Sequence, residues 1–236
     1  MEQFLREAMF YGQDAVALLS QKHVMVLGIG GVGSYCAEAL ARAGIGSLTL
    51  VDNDTISPTN LNRQLCALHS TLGQYKSDVM TTRILDINPQ CRATSLPELY
   101  SEANKERFFS LKPDYIVDAI DTVSCKLSLI ETSIQRDIPI ISALGTGNKQ
   151  NPSLFRICDI SETSVCPLAR VMRKELRNRG IMHHTVLFSP EPAITPLPLE
   201  TPPPGRRSIP ASLSWVPSSA GLMLAGYVVR DILGAL

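Results

Sequence analysis

Apolar and polar positions along this chain fall into blocks of two kinds. Residues Glu2 to Leu19 mix apolar and charged positions at helical spacing, with a break offered at Gly12. Val24 to Leu27 is a continuous apolar run of strand length. Ser34 to Ala43 is Ala-rich and helical in spacing, and Ser47 to Val51 is a second apolar run. Strand, helix and strand in that order predict one βαβ unit. Lys76 to Leu85 reads as a helix stopped by Asn88-Pro89, because a residue before proline disfavours the α region. Tyr115 to Ala119 and Pro139 to Ala143 are further short apolar runs, with a helix from Cys125 to Arg136 between them. This alternation predicts an α/β, Rossmann-like fold with a mostly parallel sheet covered by helices on both faces.

The last third changes character. Cys166 to Arg179 forms a basic amphipathic helix. Ser189 to Pro210 is dominated by proline, including Pro202-Pro203-Pro204, and is expected to be a mobile, extended loop. The apolar run Ala220 to Val229 is too short to span a bilayer, which needs roughly 20 residues. It is expected as a buried helix or a closing strand-helix element. No internal repeat is seen, and residues 1–236 are expected to form a single domain.

Composition narrows the choice of partners. Lys+Arg and Asp+Glu balance at 22 each, so any partner must be selected by a local cluster of charge. Six cysteines are scattered without a C-x-x-C pair, which reads as reduced thiols and excludes a Cys₄ zinc ribbon. Glu2, Arg6 and Glu7 stand where a secretory signal needs apolar residues, so a soluble, cytoplasmic protein is expected, with no membrane contact.

The candidate chemistry begins at Gly28-Ile29-Gly30-Gly31-Val32-Gly33. This G-x-G-x-x-G follows a strand and opens a helix, where bare backbone can approach phosphates and the helix N-terminus supplies N–H groups. Asp52 ends the next strand at the spacing of an acid that accepts from ribose hydroxyls. The loop alone fits NAD or ATP. Asp54, Asn60, Asn62, Arg63 and Gln64 follow within reach of the strand end, and Lys76 comes next. Arg63 offers a bidentate phosphate contact and Lys76 a second charge; either alone reads equally well as a solvated surface cation. Together, after a nucleotide loop, they favour a triphosphate. In "YIVDAIDTV", Asp118 and Asp121 follow a strand at the edge where α/β sheets bind ligands. Asp121 is the candidate Mg²⁺ ligand, and Asp118 reads as a cap of the following helix.

G-x-G-G-x-G, D-x-D, N-x-N-R-Q, the lysine and D-A-I-D together resemble the adenylating fold of ubiquitin-activating enzymes and of bacterial sulfur-carrier activators. Over nearly the full chain the likeness is to the tRNA threonylcarbamoyladenosine dehydratases, through "YCAEALARAGIG", "NRQLCALHSTLGQYK", "VDAIDTVSCKLSLI", "SVCPLARVMRKELRNRGI" and "VPSSAGLMLAG". The resemblance implies ATP-dependent cyclisation of threonylcarbamoyladenosine in tRNA through an acyl-adenylate. The glycines 28 to 33 would form the phosphate loop and Asp52 would hold the ribose. Asn60 would hold the nucleotide, Arg63 and Lys76 would face the phosphates, and Asp121 would bind Mg²⁺. It further implies a homodimer and leaves room for a sulfur-relay protein as a partner. The alternative within the same fold is adenylation of the C-terminus of a sulfur-carrier or ubiquitin-like protein.

Three features are weighed against that likeness. In "RVMRKELRNRG", Arg170, Arg173, Lys174 and Arg177 share one helical face, while Val171, Met172 and Leu176 offer an apolar docking stripe. With tRNA implied as substrate, these cations and Arg206-Arg207 are expected to meet RNA phosphates; a solvated face is the plainer reading. Cys166 before Pro167 reads as a thioester-forming nucleophile or as a small residue at a helix start. The second is preferred, since cyclisation within the substrate needs no enzyme thiol. His69 reads as a substrate contact or loop filler, and the pair His183-His184 is assigned no metal.

Overall fold

The computed structural model describes residues 2–201 and 209–236. The N-terminal helical region divides at Gly12 into α1 (Leu5–Tyr11) and α2 (Gln13–Leu19). There follow β1 (His23–Leu27), α3 (Gly33–Arg42), β2 (Ser47–Val51), α4 (Lys76–Ile87) and β3 (Arg92–Leu96). Next come α5 (Lys105–Phe109), β4 (Tyr115–Asp118), α6 (Val123–Gln135), β5 (Ile140–Ala143) and β6 (Arg156–Asp159). The chain closes with α7 (Pro167–Asn178), β7 (Thr185–Phe188) and α8 (Trp215–Ile232).

The seven strands form one sheet in the order β3-β2-β1-β4-β5-β7-β6. Every pairing is parallel except that of β6 with β7. Side chains alternate across a strand, and both faces are covered. On β1, Val24 and Val26 enter the core shared with α3 and α8, while Met25 and Leu27 enter the core shared with α6 and α7. The fold is therefore the Rossmann-like α/β arrangement expected. The apolar run Ala220 to Val229 resolves as the inner part of α8, a buried helix. Two strands carry no apolar run and escape the hydrophobic pattern. β3 (RATSL) and β6 (RICD) are sheet edges with exposed or half-buried residues throughout.

The order places a topological switch point at β1. The chain runs outward through β2 and β3 on one side, then returns to start β4 on the other. Loops leaving β1 and β4 diverge there, and a crevice opens at their carboxyl ends.

The proline-rich stretch is tied down where it begins. Ser189 and Glu191 are buried, and the Glu191 carboxylate accepts the N–H groups of Gln150 at 3.0 Å and Asn151 at 3.1 Å. At the far end Ala211 donates its N–H to Asn148 Oδ1 at 2.7 Å. Residues 202–208, which include Pro202-Pro203-Pro204 and the candidate RNA contacts Arg206 and Arg207, lie outside the described residues.

Candidate active site

The glycine loop leaves β1 at the switch point and lines a cleft of roughly 1010 Å³, at the upper end of the usual size of ligand sites. Two of its glycines are required by contact. Gly28 has φ +87°, and a Cβ there would stand 2.5 Å from the Ala119 carbonyl oxygen. A Cβ at Gly33 would meet the Gly28 carbonyl oxygen at 1.8 Å. Only bare backbone lets the turn close onto β4 and feed α3. Gly28, Gly30 and Gly31 line the cleft, whereas Gly33 packs behind it.

Asp52 follows β2 and lines the cleft as a mostly buried carboxylate. Its Oδ2 accepts the Ile29 N–H at 2.6 Å and its Oδ1 the Asp54 N–H at 2.8 Å. Burial raises its pKa, against the lowering by the Lys76 charge and by the two backbone donors. Asp52 thus braces the glycine loop while lining the cleft.

Lys76, the first residue of α4, is buried and reaches Asp54 Oδ2 at 2.7 Å. Arg63 lines the cleft with Nη1 donating to the Thr59 carbonyl at 2.8 Å and to Asn62 Oδ1 at 2.9 Å. Partial burial lowers the Arg63 pKa, while the Glu200 charge raises it. Asn60 and Gln64 are buried and line the cleft. Asn60 Oδ1 also accepts the Ser57 N–H at 3.1 Å, fixing the turn that presents Arg63. Asn62 is turned outward instead and donates to the Ser212 carbonyl at 3.0 Å. It ties the segment beyond the proline-rich stretch to the cleft rather than lining it.

The D-A-I-D motif splits into two roles. Asp121 is exposed and lines the same cleft as the glycine loop. Asp118 is corrected: it does not cap α6, whose N-cap is Thr122. It is fully buried, with Oδ2 bound to Lys126 Nζ at 2.8 Å and accepting the Ser142 hydroxyl at 2.6 Å. Ser142 spends its one O–H there, so His184 donates from Nε2 to the Ser142 oxygen at 2.8 Å. Burial pushes His184 down to about 4, which keeps it neutral. Lys126 and Ser142 are not visible as site residues in the sequence. The one available signal is a lysine within the mostly apolar run of "CKLSLI".

The far wall of the cleft comes from Ala143 to Gly147, Leu168 at the start of α7, and Ile209 to Ser212. Cys166 lies behind this wall, 3% exposed within the core that holds Ala169 and Met172. On α7 the docking stripe is Ala169, Met172 and Leu176; Val171 is corrected to an exposed position. Arg170, Lys174 and Arg177 are exposed. Arg173 is half-buried and donates to Thr163, to its carbonyl at 2.7 Å and its hydroxyl at 2.6 Å. His69 and His183 are exposed, and His183 stands 3.4 Å from Asp159. No group of three or more metal-ligating side chains occurs among the described residues, and no helix among them is long and apolar enough to cross a membrane.

Comparison with known proteins adds three findings. The model of the ThiF family matches residues 4–235. The chain is 43% identical over 242 residues to the tRNA threonylcarbamoyladenosine dehydratase of Bacillus subtilis (strain 168), spanning 99% of this chain and 95% of that protein. The crystal structure of the Escherichia coli tRNA N6-threonylcarbamoyladenosine dehydratase in complex with ATP superposes with a TM-score of 0.89 at 32% identity, covering 99% of this chain and 94% of that one.

Proposed function

The chain belongs to the ThiF family, and on that footing we propose that it is an ATP-dependent tRNA threonylcarbamoyladenosine dehydratase. The observation that carries the reading is one cleft in which the glycine loop, Arg63, Lys76 and Asp121 converge, in a chain like such a dehydratase along its whole length. The free carboxylate of the modified nucleoside attacks the α-phosphorus of ATP. An O–P bond forms, the bond to the β-phosphate oxygen breaks, and pyrophosphate leaves. The acyl-adenylate is then attacked at its carbonyl by an atom of the same side chain, AMP leaves, and the nucleoside has lost one water.

Each protein group answers a charge in that sequence. Attack at phosphorus gathers negative charge on the equatorial oxygens and on the leaving pyrophosphate, and pre-placed donors stabilise it without reorganising. In this reading the glycine loop and the N-terminus of α3 hold phosphate oxygens. Arg63 adds a guanidinium anchored through Nη1 by Thr59 and Asn62. Lys76 exchanges its Asp54 partner for phosphate, a small loss because Asp54 is exposed to solvent. Asp52 takes the ribose, and Asn60 and Gln64 fill the wall beside it. Mg²⁺ uses one or two protein carboxylates together with phosphate oxygens and water, so one exposed carboxylate, Asp121, facing a phosphate cradle fits its donor set. When bound, that ion neutralises developing phosphate charge.

The rest of the cleft, toward Gly145 and Leu168, is room for the modified nucleoside. Arg170, Lys174 and Arg177 then lie on the surface of the helix that starts at that wall, where RNA phosphates approach. Burial of Cys166 supports closure within the substrate over an enzyme thioester. A single adenylating domain, a homodimer, a cytoplasmic location and contact with a sulfur-relay protein belong to the proposal on family likeness alone. The test incubates protein, ATP and Mg²⁺ with tRNA carrying threonylcarbamoyladenosine, then digests the RNA and reads nucleoside masses. Loss of one water is expected. An untouched nucleoside together with adenylation of a small carrier protein overturns the reading.

A further inference from the structure

Lys126 is a fully buried cation on α6, in a stretch where Leu127, Leu129 and Ile130 are buried as well. Its partner Asp118 is equally buried. A buried ion pair is a poor way to stabilise a core, because an apolar pair of similar volume often serves as well or better. The pair has another visible effect. With Oδ2 held by Lys126 and Ser142, Asp118 offers Oδ1 to the N–H of Ile120 at 3.1 Å. That bond, from a side chain to the backbone two residues on, holds the chain locally as it leaves β4. This segment carries the Ala119 carbonyl to the point where even a Cβ at Gly28 would collide with it, and it brings Asp121 to the cleft.

We propose that Lys126 is a positioning residue of the nucleotide site: through Asp118 it fixes the segment from Ala119 to Asp121, and so the Asp121 carboxylate relative to the phosphate loop. This rests on the reading of the cleft as the ATP site. Lys126 itself touches no substrate. Its influence passes through one carboxylate and one backbone N–H, and it falls on geometry to which phosphoryl chemistry is sensitive. A displacement near 1 Å at a reacting centre costs about 10²-fold in rate.

The experiment measures ATP affinity by calorimetry, with and without Mg²⁺, for the wild type, Lys126→Met and the double variant Asp118→Leu/Lys126→Met. Circular dichroism checks the fold at the same temperature. Wild type is expected to bind ATP more tightly with Mg²⁺ than without. In both folded variants that gain should vanish, while affinity without Mg²⁺ stays near the wild-type value and pyrophosphate release slows by about 10²-fold. A folded variant that keeps the gain overturns the proposal and leaves Lys126 as a core ion pair only. Lys126→Met strands a buried carboxylate, so if it does not fold the double variant, with no lone charge, decides. If neither folds, Lys126→Met is paired with Asp118→Asn, which strands no charge and keeps an Oδ1 acceptor for the Ile120 N–H; loss of the Mg²⁺ gain supports the proposal and its retention overturns it. Wild type that binds no ATP at all refutes the ATP reading instead.

Discussion

His184→Gln is expected to flatten the acid side of the stability profile. The imidazole is buried and donates to Ser142, and glutamine retains an N–H donor for that oxygen. An unfolded chain takes up a proton on this histidine near 6.5, whereas burial pushes the folded value down to about 4. The Asp118 and Asp159 charges oppose that fall and the Lys126 charge adds to it. Between the two values the unfolded state binds more protons than the native state, so stability rises with pH across the window. The contribution is complete above 6.5 and is lost as the pH falls toward 4.

Each pH unit separating the two values carries about 1.4 kcal/mol, which puts the whole effect at about 3 kcal/mol. That is a large part of the roughly 5–15 kcal/mol that holds a domain folded. Urea denaturation at a series of pH values from neutral to acid, on wild type and variant, reads it directly. His23, also lowered mainly by burial, is present in both proteins and cancels in the difference. The wild-type curve should fall toward acid more steeply than that of the variant, by about 3 kcal/mol in total. Two parallel curves would refute the reasoning, since they would mean that His184 titrates alike in both states.

Asp121→Ala and Arg63→Ala should each lower pyrophosphate release by roughly 10²–10³-fold with unchanged circular dichroism; near-normal turnover in both would remove these residues from the site. Cys166→Ser should retain cyclisation of the tRNA nucleoside, and a complete loss with a trapped wild-type thioester would favour carrier-protein activation. Arg170→Glu with Arg177→Glu should weaken tRNA binding and make it less sensitive to salt, the log-log slope falling by about 0.7–0.9 for each phosphate that is no longer neutralised. ATP affinity, measured in the same samples, should not change.

Several of the residues that line the cleft were open to reading in the sequence. Gly28, Asp52 and Asp121 come together in one cleft because each stands just beyond a strand end marked by an apolar run, and the connection from β2 to α4 brings Arg63 and Lys76 to the same place. The edges were closed to the same method. β3 and β6 bury one flank at most, so selection for apolar side chains there is weak and the pattern that marks a strand is absent. The buried polar network was hidden for a different reason. Asp118, Lys126, Ser142 and His184 are joined across β4, α6, β5 and the residue just before β7, and no helical or strand spacing relates them. Only the parallel register that sets Asp118 beside Ser142 brings the first link into being.

The basic helix shows how far spacing alone carries. Successive residues on a helix turn by about 100°, so Arg170, Arg173, Lys174 and Arg177 do fall within one arc. The buried arc of α7 is nevertheless set by Ala169, Met172 and Leu176, and Arg173 borders it. There its guanidinium meets Thr163, a buried residue shortly before the helix, and takes both the carbonyl and the hydroxyl as acceptors. Those bonds clamp the start of α7, the end that carries Leu168 into the cleft wall. A phosphate contact from Arg173 would have to replace two hydrogen bonds already made, whereas Arg170, Lys174 and Arg177 project from the exposed face of the helix. Removing Arg173 should therefore act on the position of the cleft wall, and removing its three neighbours on the hold upon RNA.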